Sequence, residues 1–194
     1  MAIKKIFYDV ETTGVKETQH GIHQISGCIE IDNEVKEYFN FYVAPNPKAK
    51  IEPEALTVGG VTLEEIQAYP PMIIIYSQFK AMLRKYCDPY NKLDKFYLVG
   101  FNNRGFDDRF LRAWFEQNGD QYFGSWFWAD SLDVMVLASQ YLLNRRTGMK
   151  DFKLMTVAAE VGLVVDEAKL HDANYDIELT RSVYRIVTGL DYEL

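Results

Sequence analysis

Cysteine, net positive charge and long apolar stretches are what this chain has least of. Its two cysteines, Cys28 and Cys87, are too few for a disulfide framework and lack CxxC spacing, so zinc and redox readings have little support and a reducing, cytoplasmic setting is expected. The N-terminus, Met1-Ala2-Ile3-Lys4-Lys5, runs straight into strand-like sequence without a long apolar run or a small-residue cleavage site. No export or membrane signal is read. A net charge of −7 argues against a broad, sequence-independent duplex binder, which gains affinity by neutralising many phosphates. It leaves open a short strand end held by few phosphate contacts, the more so if several carboxylates serve divalent cations. No internal repeat, low-complexity run or domain-dividing linker interrupts the chain.

What is present is a large apolar fraction. With 48% hydrophobic and 14% aromatic residues, 194 residues can build a substantial core, and one α/β domain over 1–194, core about 3–187, is expected. Ile3–Val10, Gly21–Ile31 and Glu34–Val43 read as an antiparallel three-strand meander, with Asp32-Asn33 as a hairpin corner. Pro45-Asn46-Pro47 opens an irregular segment through Gly59-Gly60. Thr62-Leu63-Glu64-Glu65 then has a helix-start pattern, which Pro70-Pro71 stops. Met72–Cys87 carries helical spacing, and Phe96–Phe101 fits a buried central strand. Helices are expected over Phe106–Gln117, Ser131–Leu143, Phe152–Val161 and Asp172–Val187. This order suits a mixed sheet with helices on both faces.

The chemistry concentrates in carboxylates. Asp9 and Glu11 flank one residue at the end of the first strand, so both point the same way, because strand side chains alternate with a period of two. Like charges held together in this way suit a magnesium or manganese site. Further on, helical spacing separates Asp107 from Asp108. The residues three, four and seven after Asp107 are Phe110, Leu111 and Trp114, a more apolar face than that of Asp108. Asp107 is therefore expected to point to the sheet, and Asp108 to sit toward solvent or cap the helix. His171 and Asp176 are five apart, about 140° round a helix, and converge only if His171 belongs to the preceding loop. Asp172 is then the N-cap, and Asp176 joins the stripe of Leu179, Val183 and Ile186, with Asp172 as the rival ligand.

Phe7-Tyr8-Asp9-Val10-Glu11-Thr12-Thr13-Gly14, Val99 to Leu111 with Asn103 and Asp107, and His171-Asp172-Ala173-Asn174-Tyr175-Asp176 together resemble, in order, the three motifs of the DEDDh 3′–5′ exonucleases of the ribonuclease H-like superfamily. That group includes polymerase proofreading subunits, ribonuclease T and oligoribonuclease. The resemblance runs from Ile3 to about Val187. It implies that Asp9, Glu11, Asp107 and Asp176 ligate two Mg2+ ions, with Mn2+ able to substitute, and that His171 is the general base. It also implies that Thr12, Thr13 and Asn103 lie against the terminal nucleotide. The chain departs from the pattern at Asn102, where histidine is common, and at Arg104, where a small residue is usual. Asp130 matches a recurrent family acid, although a helix N-cap explains it adequately.

Phosphodiester hydrolysis needs an attacking hydroxide, a stabilised leaving oxygen and neutralised phosphoryl charge, which two metal ions supply. Histidine suits the base role because its unperturbed pKa of about 6.5 leaves it largely neutral at mildly basic pH. The expected partner is the 3′ end of single-stranded nucleic acid, DNA before RNA, releasing nucleoside 5′-monophosphates. Base stacking on Tyr122, Phe123, Trp126, Phe127 or Trp128 competes with their use as core fillers. Arg104, Arg109 and the 145–153 segment are either phosphate contacts or solvated surface. His20 and His23 are assigned no role. An exoribonuclease, a silent end-binding module and a small phosphate-ester hydrolase are the alternatives; a homodimer is left open.

Overall fold

A computed structural model describes residues 2–166, 168 and 172–190. Five strands form one sheet in the order β3-β2-β1-β4-β5. β1 (Lys4–Thr12), β2 (Ile22–Ile31) and β3 (Glu34–Tyr42) make the expected antiparallel meander. β4 (Tyr97–Gly100) lies parallel to β1, and β5 (Leu132–Asp133) lies parallel to β4. The corner between β2 and β3 is Asp32-Asn33 with φ of 50° and 67°, the left-handed pair that a tight hairpin requires. This is the ribonuclease H-like mixed sheet.

Alternation along β1 divides the core into two layers. Ile6, Tyr8 and Val10 enter one cluster with the buried faces of α3 (Met72–Arg84) and α4 (Asp107–Gln117). Phe7 enters the other, with α5 (Val134–Tyr141), α6 (Leu154–Glu160) and α7 (Ala173–Thr188). Helices thus cover both faces, as the order of elements implied. Two shorter helices, α1 (Pro53–Val58) and α2 (Leu63–Ala68), follow β3. α2 starts on a reciprocal capping box in which Thr62 and Glu65 satisfy each other's backbone N–H groups.

Three local expectations change. The segment expected to be irregular up to Gly59-Gly60 contains α1, with Pro53 in its first turn, where the missing N–H costs nothing. The helix expected from Ser131 begins at Val134, because Leu132 and Asp133 pair with Val99 and Gly100 as β5. The cap of that helix is Asp133, whose Oδ1 accepts from the Met135 amide at 3.0 Å, while Asp130 is exposed. Among the described residues no helix is long and apolar enough to cross a membrane.

Candidate active site

The candidate site lies at the C-terminal end of β1. Asp9 and Glu11 continue the side of the strand that carries Phe7, toward α7. Beyond β4, the chain turns through Asn102, held at φ 63°, and starts α4 at Asp107. Gly100 permits this close turn, because a Cβ there would stand 2.8 Å from the Asn103 Cβ and 3.0 Å from the Tyr8 carbonyl. Asp107 is 4% exposed, and its Oδ1 accepts from the Val10 amide at 3.1 Å. That bond fixes the start of α4 to the strand residue between Asp9 and Glu11. Asp176 comes from the first turn of α7, whose cap is Asp172, accepting from the Tyr175 amide at 3.0 Å.

The acids share one field. Burial, and then the negative charges of Asp107, Glu11 and Asp176, hold the Asp9 carboxyl well above the usual carboxylate range. Asp107 is pushed up to about 7, first by burial, with the Val10 amide opposing and Asp108 and Glu11 adding to the rise. Asp9, Glu11, Asp107 and Asp176, drawn from three elements, are therefore electrostatic neighbours. Among the described residues no three acid, histidine or cysteine side chains already stand at ligating spacing, so what exists is a common field and not finished coordination. The donor chemistry nonetheless fits a hard dication: oxygen ligands whose mutual repulsion and burial cost a bound cation would relieve.

Asp108 departs from its expected place. Rather than facing solvent or capping α4, it accepts from the Tyr8 hydroxyl at 2.5 Å, from Asn103 Nδ2 at 3.1 Å and from the Ser131 hydroxyl. It ties β1, the β4–α4 turn and the approach to β5 into one knot beside Asp107. The Tyr8 hydroxyl, buried against this carboxylate, is raised well above its ordinary pKa, burial being the larger cause. Asn103 is close in sequence, but no local pattern reveals Tyr8 and Ser131, which lie 100 and 23 residues away.

The other named residues fall near the site in different ways. Thr12 donates to the Gly14 carbonyl at 2.8 Å, and Thr13 donates to the Lys50 carbonyl at 2.7 Å while accepting from the Gly21 amide at 3.0 Å. Both hydroxyls already serve the β1–β2 loop. Asn103 is fully buried, with Nδ2 on Asp108 and its amide oxygen without a partner. Arg104 is exposed, and Arg109 forms a two-pronged pair with Glu17 at 2.8 and 2.7 Å. In the 145–153 segment, Arg145 meets the Glu160 carbonyl at 3.0 Å and Arg146 stacks over Phe152. His171, read as the base, lies outside the described residues.

Of the two upstream histidines, His20 is held by the fold, whereas His23 is buried with neither ring nitrogen hydrogen-bonded. His20 is buried, with Nδ1 against the Lys16 backbone and Nε2 3.1 Å from Glu52. A Cβ on Gly14 would collide with its ring at 2.4 Å, which explains glycine there. His23 sits where the β1–β2 register slips, and burial lowers its pKa to about 4.

Acids sharing one field at the end of the first strand of a mixed sheet are the setting, and the sequence supplies the class: residues 6–184 match the RNase T exonuclease family, to which the chain belongs. Among its relatives, the PolC-type DNA polymerase III of Mycoplasmopsis pulmonis is 21% identical over 180 residues, 92% of this chain and 11% of that protein. Two structures of Exonuclease I from E. coli share the fold. The zinc-bound complex with single-stranded DNA has a TM-score of 0.74 at 21% identity, covering 98% of this chain and 41% of that one. The complex with a dT13 oligonucleotide has a TM-score of 0.75 at 20% identity, covering 98% and 43%. The chain thus spans well under half the length of each.

Proposed function

We propose that this chain is a divalent-metal-dependent 3′–5′ exonuclease of the DEDDh type, a single catalytic domain that shortens single-stranded nucleic acid, DNA ahead of RNA, and releases nucleoside 5′-monophosphates. The observation that carries the reading is the shared field of Asp9, Glu11, Asp107 and Asp176 at the end of β1. Membership of the exonuclease family gives it a reaction class.

Asp9, Glu11, Asp107 and Asp176 would hold two Mg2+ ions, or Mn2+ in their place. Such ions supply charge neutralisation at the phosphate and acidify water. The Val10 amide orients Asp107, and Asp108 holds the turn that delivers it. His171, immediately before the α7 cap in sequence, takes the proton of the attacking water, for which a neutral imidazole is suited. Thr13 and Asn103 are fully buried and Thr12 nearly so, and both threonine hydroxyls are hydrogen-bonded within the protein, so Thr12, Thr13 and Asn103 serve the terminal nucleotide by shaping the β1–β2 loop and the β4–α4 turn rather than by side-chain contact.

The test is digestion of matched DNA and RNA strands labelled at the 5′ end, with Mg2+. A ladder shortening from the 3′ end, with nucleoside 5′-monophosphates as product and faster loss of DNA, is expected. Internal cuts, early loss of the 5′ label, or phosphate release from mononucleotides alone would contradict the reading.

A further inference from the structure

α4 delivers Asp107, yet it starts without a side-chain cap of its own: Phe106, the residue before it, has φ −137° and ψ −73° and offers no capping hydrogen bond. The opening amide groups return instead to the preceding turn. The Phe106 and Asp108 N–H groups both donate to the Asn103 carbonyl, at 3.2 and 2.9 Å. A helix hung in this way stands where the turn puts it. The placement of Asp107 is therefore decided between Gly100 and Phe106.

That turn is held from outside. Asn102 sits at φ 63°, in the left-handed region that asparagine tolerates but that side chains with a Cβ do not favour. Its carbonyl takes the Gly105 N–H at 3.1 Å, and a Cβ on Gly105 would come within 3.0 Å of the Asn102 side-chain oxygen. The Asn102 N–H donates to Asp133 Oδ1 at 3.0 Å, the same oxygen that accepts from the Met135 amide at 3.0 Å. Asp133 is buried and lies in β5 beside Gly100 of β4. One carboxylate oxygen thus fastens the start of the turn to the first turn of α5. The tie also joins the two layers of the core: α4 packs with Ile6, Tyr8 and Val10, whereas α5 packs in the layer of α7, the helix that supplies Asp176. Asp108 holds the same turn to β1 and Ser131. Asp133 holds it to the layer that carries the remaining acid.

We infer that Asp133 is a positioning residue of the acid site, setting Asp107 relative to Asp176 through the Asn102 amide, and that it acts as a hydrogen-bond acceptor and not as a charge. Two backbone N–H groups need one fixed oxygen at the start of α5, and a neutral amide oxygen at the same reach meets that need. The inference deepens the proposed exonuclease function and rests on it for what the acids hold.

Two variants of the full chain separate this role from the capping of α5. Asp133→Ser keeps an acceptor for the Met135 amide, because serine caps helices about as well as aspartate, but its shorter side chain gives up the Asn102 amide. Asp133→Asn keeps an oxygen at full reach for both. Mn2+ affinity is read from the electron paramagnetic resonance signal of the free ion, amide exchange of residues 101–108 by mass spectrometry in EDTA, and stability by thermal unfolding. Asp133→Ser should unfold at the wild-type temperature, exchange faster through the turn, and bind Mn2+ about 10–100-fold more weakly, the range for losing a group that orients a ligand. Turnover on a labelled single strand should fall with it. Asp133→Asn should match the wild type in every reading. Wild-type Mn2+ affinity in Asp133→Ser, whether or not its unfolding temperature drops, would reduce Asp133 to a helix cap and overturn the inference; so would turn exchange that is no faster. An Asp133→Asn protein as impaired as Asp133→Ser would overturn the acceptor role in favour of charge. A wild type that binds Mn2+, with variants ordered as expected, but shortens no strand would instead sink the exonuclease reading and leave the positioning role standing.

Discussion

β1 and α7 meet twice, and the two meetings are electrostatic opposites. Toward the start of β1, Lys5 reaches Glu30 at 3.0 Å and Asn33 at 2.9 Å, while Arg181 of α7 reaches Glu30 at 2.7 Å and Glu178 at 2.8 Å. Lys5, Glu30 and Arg181 are all buried. Burial alone would push Glu30 up, but the hydrogen bonds and charges of Arg181 and Lys5 hold it below its ordinary value. At the other end the same strand supplies Asp9 and Glu11 and the same helix supplies Asp176, and burial together with the negative charges of Asp107, Glu11 and Asp176 drives the carboxyl of Asp9 upward. Where buried charge serves the fold, this protein pairs it within hydrogen-bond distance. Burial and the neighbouring carboxylates all act on Asp9 in the same direction, the pattern of a group whose charge a bound cation would relieve.

Breaking the paired end should cost the most. Glu30→Ala strands Lys5 and Arg181 in the core and is expected to destabilise the fold by about 3–5 kcal/mol, read from chemical denaturation, with activity per folded molecule retained. Activity lost before stability would show that the pairing belongs to the site. At the acid end the sign reverses. Asp107→Asn should cut turnover about 10²–10³-fold, about 3–4 kcal/mol of transition-state stabilisation, while stability without metal is unchanged or raised.

That gain in stability should depend on pH. Asp107 has a folded pKa of about 7 against an ordinary 3.8, so between those values the native state holds more protons than the unfolded one, and wild-type stability falls as pH rises. The advantage of Asp107→Asn should grow across that window and level off above it. A gap that shrinks with rising pH would contradict the assigned field. Next in size, His171→Ala should lower turnover by about 10²-fold and flatten the acid limb of the rate profile, with folding intact. The smallest effect sharpens the boundary between the two ends: Tyr8→Phe removes one donor to Asp108 and should cost about 1–3 kcal/mol of stability, with a modest fall in turnover.

Periodicity made much of this legible. The two-residue spacing of Asp9 and Glu11, and the apolar residues three, four and seven after Asp107, each describe a single element, and each element reads correctly from its own sequence. The Asp32-Asn33 corner and the Thr62 and Asp172 caps are equally local. What escaped depends on partners far along the chain. β5 is two residues long and exists only because β4 lies beside it. Asp108 lies on the polar side of α4, as its neighbours suggest, and Asn103 is a local partner, but Tyr8 and Ser131 are brought to it by the sheet. Lys5, Glu30 and Arg181 read as ordinary charged residues until strand and helix pack.

The most direct test of the central claim is thermal unfolding of wild type, Asp9→Asn and Asp107→Asn while Mn2+ or Mg2+ is titrated. The account predicts that the wild type is stabilised progressively, by about 2.7 kcal/mol when the ion reaches one hundred times its dissociation constant, and that each variant responds far less. Equal stabilisation of all three proteins, or none in the wild type, would contradict a dication site built from these acids.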